Sequence, residues 1–534
     1  MYRNMLHSNY LNTLTELNMP ACATKQTLPE IVSVRNLFLP VPDTDFRDFL
    51  HEIENLAKFA PEIIGAIELD LDAHAREKKL MRLADRKYFE SQTGDLPALD
   101  IKERNLLAKE LQLAAGRPRM PGYAVYVFLM VRGFLGSLTS KPVRRFLRES
   151  ISLYGFLQNR GLEMPGMTTI LENANLVSHT TRELIFNKQI EFAFRDELDD
   201  FRMLTIDSTS VKANVCWPTD AKILHGLLRR AHRLGGKFHV WGLKDFCDGW
   251  IPAWLNEIDK LEFQICLVAG KAKSQGKIKK HYRRLIRLAR KIADALNIEL
   301  RRVKIEVLAQ KFPPSRQSFL RRMLDQIESD LADANRVMEY AHDRVFHDKK
   351  LPSTEKILSL SDGSAGFIKK GNRNPVIGYK PQLVRSANGF VTSLIVPEGN
   401  AADAVELAPA IADAIKRTGV IAKLVSTDDG YASANGRNEL LDMGVMDVSI
   451  SGAKGKKLTD PADWDSEEYR DARRNRSAVE SLMFTIKDGF EFGELGRRGI
   501  AAVRDELLEK VLAYNCCRII LIKQRREERI RAAA

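Results

Sequence analysis

A chain of 534 residues is longer than one hydrophobic core can organise, and 44% hydrophobic with 29% charged residues and no low-complexity tract excludes a disordered or fibrous protein. Two to four domains are expected. The formal charge of +13 favours an anionic partner without identifying one.

The N-terminus has no charged leader followed by an apolar block and a cleavage site, so the sequence predicts a cytosolic protein. Cys22, Cys216, Cys247, Cys266, Cys516 and Cys517 contain no CxxC pair and no zinc-ligand spacing, and are expected to be reduced thiols, mostly buried. Up to about residue 200 the apolar residues recur at three and four spacing, as in helices. The apolar run Tyr123 to Leu138 is too short for a bilayer and is interrupted by Arg132, so it reads as a buried helix after the linker Gly116 to Gly122. The short helices that follow, separated by Gly and Pro as far as Leu176, suit a helix-turn-helix or an ordinary helical bundle equally well.

At Arg202 the texture changes to a short apolar run and then alternation, RMLTIDSTSVKANV, which predicts a strand. Helical periodicity returns from about Asp220 to Ser359 and predicts an all-helical insertion. Within it, ten of the 21 residues from Lys271 to Lys291 are Lys or Arg and none is acidic. A solvated helix face mixes both signs, so this segment is expected to contact phosphate. Strands resume in PVIGYKPQLV and GFVTSLIVP, joined by a turn through Asn388 and Gly389, with Pro381 marking an edge or a bulge. A helix in AADAVELAPAIADAIKR, a strand in IAKLVSTDDG, a helix in ANGRNELLDMG, a strand in VMDVSIS and helices near 467–487 and 504–523 complete the order. Such an order requires a mixed sheet covered by helices.

Three acids stand at element ends. Asp207 closes a predicted strand and precedes Ser208 and Thr209; by itself it reads as a strand-end or turn residue. Asp428 and Asp429 end the run AKLVST before Gly430 and Tyr431, and because side chains alternate along a strand, at most one of them shares a site with Asp207. On the helix RRNRSAVESLMFTIKDG, Arg476, Glu480 and Lys487 fall within about 40° of one another, beside an apolar stripe of Val479, Leu482, Met483 and Ile486. Taken alone, Arg476 and Glu480 are an ordinary surface pair. Several carboxylates converging from different elements are what divalent-metal phosphoryl chemistry requires.

These residues resemble the DDE transposases of bacterial insertion sequences that carry a Tyr, Arg, Glu, Lys signature. Arg476, Glu480 and Lys487 match the spacing of the last three, Asp428 to Tyr431 match the pattern Asp, any residue, Gly, Tyr around the second acid, and Asp207 with Ser208 and Thr209 matches the first. KANVCWPTD and PEGNAADA are similar to neighbouring stretches, and Gly116 to Leu176 is less specifically similar to the DNA-binding region. The signature Tyr is replaced by Arg473, Tyr469 lies four residues too early, and the interval between Asp207 and Asp428 exceeds the usual one.

The resemblance implies an α/β, RNase H-like mixed sheet with all-α regions before and within it. Its domains would be a helical region at 1–115, a helical DNA-binding domain at 116–200, a catalytic domain at 201–220 and 360–515, the basic insertion at 221–359 and a basic tail at 516–534. It implies Asp207, Asp428 and Glu480 as catalytic metal ligands, Arg476 and Lys487 as phosphate contacts, and two Mg²⁺ ions for which Mn²⁺ can substitute. The partners would be terminal inverted repeats and target DNA, bound by a homodimer in the cytoplasm at the nucleoid, with no membrane involved. A nuclease that cuts without joining and a transposase-derived DNA-binding regulator are the alternatives.

Overall fold

The computed structural model describes residues 46–93, 119–136, 141–215, 217, 219–243, 249–269, 271, 274–310, 312–349, 351–352, 355–369 and 374–533. Cys22, Cys216, Cys247 and residues 116–118 of the expected linker lie outside them. The helices used below are α1 (Phe46–Phe59), α2 (Gly122–Phe134), α3 (Met167–Leu176), α4 (His179–Arg195), α5 (Asp220–Gly235), α6 (Trp250–Val268), α7 (Gln275–Ala309), α8 (Pro314–His347), α9 (Asp403–Thr418), α10 (Ala453–Leu458), α11 (Glu467–Gly489) and α12 (Ile500–Ala533). The described strands are β1 (Met203–Ser208), β2 (Val211–Lys212), β3 (Gly366–Ile368), β4 (Val376–Tyr379), β5 (Gln382–Ser386), β6 (Val391–Ile395), β7 (Leu424–Thr427) and β8 (Asp447–Ile450). Described residues of 1–72, 118–212 and 379–534 form one compact unit, and those of 73–117 and 213–378 form another.

The first unit holds a five-stranded sheet in the order β6-β5-β1-β7-β8. β5 is antiparallel to both β6 and β1, whereas β7 is parallel to both β1 and β8. Counted along the sheet in chain order this is 3-2-1-4-5 with only the second strand reversed, the RNase H-like arrangement. Parallel strands need crossover connections, and the helical segments after β6 and β7 supply them. Leu204, Ile206, Val384, Val425, Val448 and Ile450 form one apolar face with Leu407, Ile411 and Ala414 of α9. The opposite face carries the smaller Thr205, Ser426 and Ser449, all buried, and α11 packs against β1, β7 and β8. The run PVIGYKPQLV, expected to be one strand, is divided at Pro381. β4 pairs with β3, while β5 enters the main sheet. A proline cannot donate to a ladder, so the chain changes sheets where that donor is missing.

The edge strand β6 is covered as well as paired. Asn515 of α12 accepts a hydrogen bond from the Val391 N–H and donates to the Val391 carbonyl, both at 2.9 Å, satisfying backbone groups that an edge would expose. The expected apolar helix is α2, buried along most of its length against α12. At Gly133 the two helices approach so closely that a Cβ would stand 2.1 Å from the Glu509 carbonyl oxygen, so only glycine fits. Arg132, the charge that interrupts this run, meets Glu509 at 2.6 Å. Arg182 of α4 and Arg497 join the same carboxylate at 2.8 and 2.5 Å. Cys516 and Cys517 are free and buried, and Cys266 is free and exposed. Among the described residues no helix is long and apolar enough to cross a membrane.

In the second unit, α5, α6, α7 and α8 enclose a core that includes Leu224, Leu228, Ile258, Leu296, Leu331 and Val337. One face of α7 contributes Tyr282, Leu285, Ala289 and Ile292 to this core, while Lys277, Lys280, Arg283, Arg287, Arg290 and Lys291 are exposed. Amphipathicity therefore explains why the basic run is a helix: its apolar stripe is buried and its charges remain in water. Arg230 reaches the fully buried Asp330 at 2.8 Å and compensates that charge within the bundle.

Burial raises the cost of ionising Glu509, yet the three guanidiniums overcome it and hold its pKa at about 2, below the ordinary 4.5. A depressed carboxylate pKa stabilises the fold above the ordinary value, and that contribution is lost as pH falls through the folded value. Glu509→Gln is expected to cost about 3–5 kcal/mol, because the buried Arg132 and Arg182 and the half-buried Arg497 lose the carboxylate they share. Denaturant titrations should also show a smaller loss of stability between pH 4.5 and about 2 in the variant than in the parent.

Candidate active site

The register of β1 and β7 determines how their acids are presented. Leu204 pairs with Val425 and Thr205 with Ser426, the last pair of this ladder, and the same register carried two residues further sets Asp207 opposite Asp428. Asp428 keeps an extended backbone, with φ −87° and ψ 175°, and the strand alternation continues through it. Because Leu204 and Ile206 enter the apolar face beneath α9, alternation assigns Asp207 to the other face, that of Thr205. Asp428 shares that face with Ser426. Adjacent strands lie about 4.8 Å apart, so two anionic side chains leave neighbouring backbones on one side of the sheet.

Local backbone donors hold both carboxylates. Asp207 Oδ1 accepts from the Ser208 N–H at 2.6 Å, and Asp428 Oδ1 accepts from the Gly430 N–H at 2.9 Å. Asp429 has a different use: its Oδ1 accepts from the N–H groups of Lys454 and Gly455 at 2.8 and 3.0 Å and caps the first turn of α10. The two consecutive acids thus divide between the sheet end and a helix start.

Glu480 lies on α11, whose Val479, Leu482, Met483 and Ile486 are buried beneath it. Its side chain is 64% exposed and accepts from Arg476 at 3.2 Å. Lys487 follows on the same helix, its stem packed over Gly493. Asp207 and Asp428 are therefore in register on adjacent strands and Glu480 is on the helix above those strands, but the three carboxylates are not within 4.8 Å of one another. Among the described residues, the groups of three ligand-bearing side chains that close are His342, Asp343 and His347, and His225, Asp259 and Glu262. Neither group contains a residue expected from the sequence.

The two residues at the departure from the signature have other partners. Arg473 lies over the Trp464 ring at 4.1 Å and donates to the Trp464 carbonyl at 2.8 Å. Tyr469 is buried, and its hydroxyl donates to the Val448 carbonyl of β8, tying the start of α11 to the sheet.

Beside Asp207 and Asp428 lies a buried polar group that the sequence reading did not single out. Lys380 Nζ meets Asp403 Oδ1 at 2.8 Å, Gln382 Nε2 donates to the same oxygen at 3.0 Å, and the Tyr431 hydroxyl donates to Gln382 Oε1. Burial opposes ionisation of Asp403, but hydrogen bonds from Lys380, Gln382 and Ser208, with the Lys380 charge, hold its pKa below the usual range. Burial, followed by the negative fields of Asp403, Asp207 and Asp428, pushes the Tyr431 hydroxyl pKa far up, so it remains a donor. The signals were present in GYKPQ, GNAAD and DDGY, but their partners are 21 to 49 residues apart and no local period links them.

Residues 339–516 match the family model described as transposase DDE domain. The match includes Asp428 and Glu480 and begins after Asp207. No curated protein and no solved structure gives a match. The similarity to a transposase DDE domain thus covers residues 339–516, about a third of the chain, and falls on a sheet in 3-2-1-4-5 order with acids at the ends of its adjacent parallel strands.

Proposed function

We propose that this protein is an insertion-sequence transposase that cuts DNA at the ends of its element and joins the released 3′-hydroxyl to a second DNA. Asp207, Asp428 and Glu480 are its metal-holding carboxylates. The observation that carries the reading is the register of the parallel pair β1 and β7, with Thr205 opposite Ser426, which carried two residues further sets Asp207 opposite Asp428, on strands overlaid by the helix of Glu480. A donor set made only of carboxylate oxygens suits a hard divalent cation. Two Mg²⁺ ions, or Mn²⁺ in their place, would supply Lewis-acid activation of the attacking oxygen and stabilisation of the leaving one.

The residues of this chain orient and balance charge. Asp207 and Asp428, held by the N–H groups of Ser208 and Gly430, provide a fixed anionic pair. The Arg476 and Glu480 pair is exposed, and such pairs contribute about 0–1 kcal/mol, so Glu480 can turn to the cation and Arg476 to a phosphate at small cost. Arg476 would grip phosphate through its fork and Lys487 as a point charge. The helices within 116–200 would bind the terminal repeats, the exposed cations of α7 would follow the DNA backbone, and a homodimer on DNA would bring two ends together.

Labelled end DNA, incubated with Mg²⁺ and a circular target, should be nicked and then joined. Asp207→Asn, Asp428→Asn and Glu480→Gln should each abolish both steps and leave DNA binding intact, since an amide keeps the shape but loses the anionic ligand. Asp429→Asn should retain activity, because an amide oxygen still caps α10. Cleavage without joining would identify a nuclease, and full activity in Glu480→Gln would remove α11 from the site.

Replacing Lys277, Lys280, Arg283 and Arg287 by Gln should weaken binding to all sequences alike. It should also flatten the plot of log affinity against log salt by roughly 0.9 for each phosphate that the variant no longer neutralises. An unchanged slope would show that this face of α7 does not meet DNA.

A further inference from the structure

The buried polar group beside the strand ends spans three separate segments of chain. Lys380 precedes β5, Gln382 opens it, Asp403 opens α9, and Tyr431 closes the short turn that begins at Asp428. Gln382 and Tyr431 are fully buried, and the side chains of Lys380 and Asp403 are 10% and 16% exposed. Lys380 Nζ also donates to the Ala401 carbonyl at 3.2 Å, so the ammonium joins the approach to α9 as well as its first residue. Gln382 is the β5 residue directly opposite Ser208, the neighbour of Asp207. One side of the frame is therefore fixed to β1 and the other to the turn that carries Asp428.

Gly430 shows how close the frame comes to that acid. A Cβ at this position would lie 3.0 Å from Asp428 Oδ1 and 3.4 Å from Asp403 Oδ2, so the glycine sits between the two carboxylates. The Asp428 turn is short and bears an acid opposite another acid, so like-charge repulsion tends to separate Asp428 from Asp207. The buried ring of Tyr431, with its hydroxyl on Gln382, opposes that separation from three residues along the chain.

We infer that Tyr431, Gln382, Asp403 and Lys380 form a positioning frame that holds the Asp428 turn against Asp207 and thereby sets the affinity of the proposed acidic site for its divalent cation. This rests on the reading of Asp207 and Asp428 as metal ligands. None of the four is a ligand; they act through Asp428. Partners of this kind, hydrogen-bonded behind the groups that hold a metal, typically change metal affinity 10–100-fold when removed.

The test is calorimetric titration of the full chain with Mn²⁺ alone, accompanied by thermal melting and by nicking rate against Mn²⁺ concentration. Tyr431→Phe removes one hydroxyl and leaves the ring. Tyr514→Phe is the matched control, since its hydroxyl is also buried and donates to the Gly389 carbonyl at 2.9 Å, in the turn at the opposite end of β5 from Gln382. Asp403→Asn provides a second route that leaves Tyr431 intact. The frame predicts Mn²⁺ affinity reduced about 10-fold or more in Tyr431→Phe and in Asp403→Asn. Tyr514→Phe should bind Mn²⁺ as the parent does, and high Mn²⁺ should restore nicking by Tyr431→Phe. Parental Mn²⁺ affinity in both frame variants overturns the frame, as does an equal loss in Tyr514→Phe. A parent chain that binds no Mn²⁺, or whose binding survives Asp207→Asn, overturns the metal site itself and the frame with it.

Discussion

Parallel pairing of β1 with β7 in a single register is the constraint from which the other features follow. A slip of one residue would turn Leu204 and Ile206 out of the apolar face and send Asp207 towards the core beneath α9. That face permits no such exchange: Val384, Val425 and Val448 surround the two residues and α9 closes over them. Burial of ordinary aliphatic side chains thus determines where the acids stand. The placement of the acids is a by-product of packing, obtained at the strand ends where packing stops.

The opposite face obeys a second packing rule. Thr205, Ser426 and Ser449 are small and buried, and they leave room for α11 to lie on β1, β7 and β8. The apolar stripe of α11 is used up in that contact, so its polar stripe of Arg476, Glu480 and Lys487 is left at the rim. A helix that covers the middle of a sheet can present polar groups only there. The tie from Tyr469 to β8 and the contact of Arg473 with Trp464 fix the start of α11, which gives the substituted signature position a structural use.

Behind the sheet, α12 performs two tasks with its side chains. Asn515 satisfies the edge strand β6, and Glu509 gathers three guanidiniums from α2, α4 and the segment before α12. One buried carboxylate serving three cations is costly to desolvate, and it is sustained because each partner reaches it at hydrogen-bond distance. The same arrangement makes the apolar helix α2, with its single arginine, a core element of the unit that holds the five-stranded sheet.

The amino-acid sequence by itself determined the element order and the spacing that singles out Asp207, Asp428 and Glu480. Both are local properties: helical and strand periods repeat within a few residues, and Arg476, Glu480 and Lys487 belong to one helix. It also required that Asp428 and Asp429 diverge. Only the tertiary structure decided what Asp429 does, since Lys454 and Gly455, the partners it caps, are 25 and 26 residues away. The same holds for the division of the chain at Pro381 between β4 and β5, because a missing N–H forbids one ladder bond but does not say which sheet each half joins. Arg132 and Arg182 reach Glu509 across 377 and 327 residues, and Tyr431 reaches Gln382 across 49. Polar side chains of this kind carry no period, and their partners are chosen by where the apolar faces bring the backbone together.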